Sequence, residues 1–155
     1  MNRVKKILLA ILIVLIVIQV IQPARNKSGQ VSATDMAAMY KMPDTVHAVL
    51  KAACYDCHSN NTNYPWYTYV QPVGWMLANH IRHGKEELNF NEFGSYTARR
   101  QRSKLKAIAH QVKDGDMPLN SYTIMHKDAR LTKEQKQLII DWAQKTKDSL
   151  EQNNP

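Results

Sequence analysis

Beyond Gln22 this chain has no long apolar run, and nowhere does it show an alternating apolar–polar stretch of strand length or an internal repeat. Those absences set aside a β sandwich or barrel and a repeat array, and leave an all-α fold. At 155 residues there is room for one domain and little else. Cysteine is scarce: the only two stand together as a single Cys-x-x-Cys pair, so no framework of several disulfides can carry the fold. Basic residues are numerous, with a formal charge of +8, but they are scattered and only Arg99-Arg100-Gln101-Arg102 forms a cluster. A continuous basic stripe of the kind that tracks nucleic acid is therefore missing, and a solvated helix face accounts for the cluster.

The one long apolar run stands at the start. Ile7 to Ile18 is unbroken, with Arg3, Lys5 and Lys6 before it. A basic segment followed by an apolar one marks a chain for export. The run continues through Gln19 to Ile21, 15 residues in all, or roughly 23 Å of helix. That is shorter than the roughly 30 Å hydrocarbon core of a bilayer, so as an anchor it requires local thinning or snorkelling of its basic flank. Its length suits a cleaved signal peptide, but the cleavage chemistry does not. No small-x-small site closes the run, Val31-Ser32-Ala33 lies too far along, and no lipobox cysteine is present. The expectation is a retained single transmembrane helix over residues 1–22, with the basic end in the cytoplasm and the rest outside. An exported chain has little occasion to meet nucleic acid.

Residues 23–42 carry Pro, Asn, Ser, Gly and Gln without a sustained period and read as a tether; residues 43–150 form the domain. From Pro43, Val46, Val49, Leu50 and Ala53 fall on one helical stripe that runs into Cys54. Ser59 to Tyr69 is an Asn- and Tyr-rich loop. Pro72 opens a second helix carrying Trp75, Met76, Asn79, His80 and His83, with Gly84 expected to close it. A third covers Thr97 to Lys113 and ends at Gly115-Asp116-Met117-Pro118. A fourth starts at Thr132, where Thr-Lys-Glu-Gln has the capping-box pattern, and buries Leu138, Ile139 and Trp142. So few large aliphatic residues make a thin core, and a buried macrocycle would supply apolar surface that the side chains do not.

Cys54-Tyr55-Asp56-Cys57-His58 has the Cys-x-x-Cys-His spacing of covalent haem attachment. One helical turn separates the two thiols so that each can add to a vinyl group on one porphyrin edge, and the next imidazole then falls beneath the iron. A plain disulfide, a thioredoxin-type redox pair and a zinc site completed by His80 and His83 also use such a pair. The redox pair lacks a βαβ setting here, and a bare disulfide gives no reason for the adjacent histidine. For the sixth iron ligand the sequence offers Met117, on a loop stiffened by Pro118, with His80 as the alternative and His83 behind it. His47, His110 and His126 read as surface residues. Tyr64, Trp66, Tyr67 and Tyr69 can wall a haem pocket, and Arg82 and Lys85 can meet a propionate.

CYDCHSN at 54–60, YPWY at 64–67, the stretch Gln71 to Phe90, GDMP at 115–118 and Leu131 to Trp142 together resemble small bacterial haem-binding-domain proteins, whose motif logic is that of monohaem class I c-type cytochromes. The resemblance implies haem c held covalently at Cys54 and Cys57, His58 and Met117 as axial ligands, and a place in the cell envelope, at the inner membrane with the domain in the periplasm. The segment Trp75 to Phe93 is longer than in the smallest such cytochromes. Two functions follow. One is a non-enzymatic one-electron carrier docked at the membrane; the other is a peroxidase-like enzyme or ligand sensor with an open sixth position. No acid/base constellation stands out near the motif, which favours the carrier and leaves the catalytic set empty. The sequence names no redox partner, although the basic charge suits an acidic one.

Overall fold

A computed structural model of the chain describes residues 2–28 and 32–153. Gly29 and Gln30 of the expected tether, and Val31 of the distant cleavage candidate, lie outside them. Eight α-helices are present among the described residues: α1 Arg3–Val17, α2 Met36–Met39, α3 Asp44–Ala53, α4 Tyr55–His58, α5 Val73–Glu87, α6 Ala98–Asp114, α7 Asn120–Met125 and α8 Lys133–Asn153. The only strand-like feature among those residues is an isolated bridge between Lys27 and Asn61. The protein is all-helical, as its periodicity indicates.

The core forms where α6 and α8 pack on each other and α3 packs on α8. Leu50, Leu105 and Ile139 are fully buried there, with Phe90 and Phe93 brought in by a 3-10 turn over Phe90–Ser95. The stripe on α3 is as read, with Val46, Leu50 and Ala53 buried. α6 begins at the Thr97 cap, whose hydroxyl accepts from Arg100 N, and ends at Gly115 with φ +83°, the left-handed position that glycine occupies most easily. At α8 the capping box closes in both directions: Thr132 N donates to Gln135 Oε1 at 2.9 Å, and Gln135 N donates to Thr132 Oγ1 at 3.2 Å.

Two expectations need correction. The stretch 23–42 is not a free tether. Met36 on α2 is fully buried in the core, and buried Asp35 accepts from Ala37 N and from Asn91 Nδ2 at 2.8 and 2.7 Å. Asn26 Nδ2 donates to Ser59 O and Thr62 Oγ1. Polar composition hid this docking because it runs through amide and carboxylate hydrogen bonds. Gly84 does not close α5, which continues to Glu87. α1 itself covers 15 residues, and no helix among the described residues is long and apolar enough to cross a membrane. A 3-10 turn at Ile18–Val20 ends the α-helical run before Gln22.

Candidate functional site

Between α3, α4, α5, the end of α6 and α7 lies a cavity of about 630 Å³, within the roughly 300–1,000 Å³ range of cofactor pockets. Leu50, Leu88, Phe90 and Val112 belong both to the core and to its wall. A group bound there therefore completes the core, which fits the thin packing read from the sequence.

Cys54, Cys57 and His58 all line this cavity. α3 ends at Cys54, and the motif turns helically: Cys57 N and His58 N both donate to Cys54 O, at 3.2 and 3.0 Å. His58 Nδ1 lies 2.8 Å from Gly84 O and 3.0 Å from Leu88 O. Both neighbours are carbonyl oxygens, so Nδ1 carries the proton and donates. In the neutral ring Nε2 then keeps a free lone pair, the arrangement in which a histidine binds metal. The close approach depends on Gly84: a Cβ there would stand 2.8 Å from Cys57 O and 3.3 Å from Cys57 Cβ. Glycine sits mid-helix because α4 presses against α5 at that point.

Burial pushes the Cys54 thiol up to about 12, helped by Cys57, and pushes Cys57 up to about 11, helped by the Asp56 carboxylate. Both thiols are protonated at neutral pH. A thioredoxin-type dithiol requires a shift the other way. Among the described residues no three His, Cys, Asp or Glu side chains group as a metal-ion site, so His80 and His83 do not complete a zinc centre with the pair.

Met117 also lines the cavity, placed by a turn in which the Gly115, Asp116 and Met117 amides all donate to Gln111 O. His80 and His83 line it from α5. His83 is largely exposed and faces Glu86 at 3.2 Å, and His110 pairs with Asp114 on the surface. Of the loop aromatics, Tyr67 reaches the wall, whereas Trp66 is 77% exposed and Tyr64 and Tyr69 hold the Arg25 guanidinium between their rings. Arg82 bonds Asn79 and Lys85 bonds Asn26. The basic residue on the cavity wall is instead Lys104, paired with Glu87 at 3.2 Å.

His126, read as a surface residue, is half-buried on the cavity wall. It is hydrogen-bonded to the Tyr67 hydroxyl and stacked on Tyr122 with ring centroids 4.1 Å apart. Tyr122 in turn donates to Asp56 Oδ2 at 2.7 Å. Burial first, then this hydrogen bond, raises the Tyr122 phenol well above its ordinary 10.0. Asp56 thus ties the cysteine motif to the segment that follows Met117. The signal for this link was one acidic residue inside CYDCH, which spacing alone does not connect to position 122. Asn60, next to the motif, is joined in the same way to Asn89 and Asn91.

An all-helical domain closed around one apolar cavity, with a Cys-x-x-Cys-His turn on its wall, has the architecture of a haem-binding protein. The family model for a haem-binding domain matches residues 13–145, and the chain belongs to that family. No curated protein and no solved structure matches it.

Proposed function

We propose that the protein is a membrane-anchored monohaem c-type cytochrome that carries single electrons in the cell envelope. The observation that carries this reading is the His58 imidazole, held through Nδ1 by two backbone carbonyls while Cys54 and Cys57 line the same cavity. In haem attachment each thiol adds S–H across a vinyl group, so that a C–S bond forms and the hydrogen goes to carbon; no oxidant is needed. The raised thiols suit this end state, since thioethers carry no charge into an apolar wall. Haem bound there supplies one-electron chemistry at iron, with a potential set by its axial ligands. His58 would hold the iron through Nε2.

Met117 is the distal ligand in this reading. α5 packs against α4, and His80 lies one turn before the Gly84 carbonyl that holds His58. His80 thus shares α5 with the carbonyl that holds His58, whereas Met117 would reach the group from the far end of α6. Lys104 would be the basic side chain on the cavity wall available to a propionate. The alternative, an exchangeable sixth position serving a peroxidase-like or sensing role, draws support from the His126–Tyr67 pair on the same wall. α1 is retained and embedded in the bacterial inner membrane, with the haem domain on the periplasmic side; none of its residues is buried by protein.

The test is spectroscopic. The purified haem-loaded protein should be six-coordinate and low-spin, and should cycle reversibly by one electron. Met117→Ala should lose the sulfur-to-iron band of the oxidised form and bind carbon monoxide when reduced, while His80→Ala changes neither. A wild-type haem that is already five-coordinate transfers the reading to the enzyme or sensor.

A further inference from the structure

Resting on the membrane reading of α1, the structure carries a second surface. Among the described residues beyond Ile21, the large apolar side chains left exposed are Met39, Trp66, Tyr69, Val70, Val73, Met76, Ile124 and Met125. Five of these eight lie between positions 66 and 76. That same short segment receives the foot of α1. Gln71 N donates to Gln19 Oε1 at 2.9 Å, and Gln19 Nε2 returns a bond to Gln71 O at 3.2 Å. Gln71 Nε2 donates to Gln22 Oε1 at 3.0 Å, and Gln22 Nε2 to Tyr69 O at 3.1 Å. The Trp75 indole donates to Ile21 O at 2.8 Å. Gln71 is itself buried, and Gly74 leaves room for its amide, since a Cβ there would stand 2.8 Å from Nε2.

Five hydrogen bonds spread over three residues of the exit segment fix a direction between helix and domain. A domain so joined cannot swing away from the membrane that holds its helix. We propose that the face bearing Trp66, Tyr69, Val70, Val73 and Met76 lies in the headgroup layer of that same bilayer, so that the haem domain rests on the membrane surface. Trp and Tyr are the side chains that favour this layer, with an apolar body and a polar tip. Arg25, stacked on Tyr69 beside the foot of α1, places a cation at the depth of the lipid phosphates. Leaving Trp66, Tyr69 and Val70 in water beside an anchor is unfavourable; lipid contact removes that cost. Val73 and Met76 also line the cavity, so Trp66, Tyr69 and Val70 carry the outward part of this face.

The experiment uses full-length, haem-loaded protein in phosphatidylethanolamine–phosphatidylglycerol vesicles that carry a diazirine near the glycerol end of the acyl chain. After photolysis, cross-linked peptides are mapped by mass spectrometry. Cross-links are expected on residues 3–21 and also on 66–76, the latter several-fold above those on α8. Val70→Asp should abolish the 66–76 cross-links and keep those on α1. Cross-links confined to 3–21 in the wild-type protein overturn the docked face, and a protein partner then becomes its occupant. If even 3–21 is unlabelled, the membrane reading itself fails and takes the docked face with it.

Discussion

Gly84→Ala probes the contact on which the proximal side depends. The added methyl would meet Cys57 O at 2.8 Å, a backbone atom that cannot rotate away. α5 must therefore move off α4, and the His58 Nδ1 hydrogen bond to Gly84 O at 2.8 Å lengthens or breaks. Overpacking of this kind costs roughly 1–3 kcal/mol, and a lost hydrogen bond about 1 kcal/mol. Alanine returns about 1 kcal/mol through its better helix propensity. The net expectation is a loss of about 2 kcal/mol, which at a urea dependence of roughly 2 kcal/mol per molar lowers the midpoint by about 1 M. The assay is urea unfolding of the haem-loaded protein followed by far-ultraviolet circular dichroism, with the Soret band read in parallel. A loosened imidazole should broaden that band or shift it toward high spin. A variant as stable as wild type or more so, with an unchanged Soret band, refutes the reasoning, because an exposed mid-helix glycine would behave in that way.

Tyr55 is stacked on Phe90, and its buried hydroxyl has no hydrogen-bond partner among the described residues. Because an unpaired buried hydroxyl costs about 1–3 kcal/mol, Tyr55→Phe should unfold at equal or higher urea; clear destabilisation would reveal a partner for the hydroxyl. Tyr122 has the opposite character, and Tyr122→Phe should cost about 1–2 kcal/mol by removing a hydrogen bond to a carboxylate. The folded chain also holds the Tyr122 proton more tightly than the unfolded chain does. Its contribution is therefore complete below pH 10.0 and is lost as the pH rises from there toward the folded value. Denaturation curves across that range should fall more steeply for wild type than for Tyr122→Phe, and parallel slopes contradict the assignment.

Much of the helical domain was legible because its signals are local. The α3 stripe, the start of α6 near Thr97, the Gly115 stop and the Thr132 capping box each lie within a few residues of the element they set. The helical turn over Cys54 to His58 was legible for the same reason. What escaped depends on partners distant in sequence. Met36 is apolar inside a polar stretch, and only the bond from Asn91 to Asp35 shows why that stretch docks. Gly84 carries the same letter whether it ends a helix or admits a neighbouring backbone, and the contact with Cys57 decides it. His126 reached the cavity through Tyr67 and Tyr122, neither of which a spacing rule joins to it. Arg82 and Lys85 were read as able to meet a propionate, yet on α5 they bond the amide oxygens of Asn79 and Asn26, and Lys104 on α6 lines the cavity.

The central claim is that Cys54 and Cys57 hold haem covalently, and the intact mass of the denatured protein tests it most directly. Expressed with a haem-ligation system and unfolded in acid, the chain should carry the mass of one haem, and neither thiol should react with an alkylating reagent. Cys54→Ala with Cys57→Ala should give the bare polypeptide mass. A wild-type chain that shows the bare mass and two alkylatable thiols contradicts the account, whatever haem it binds when folded.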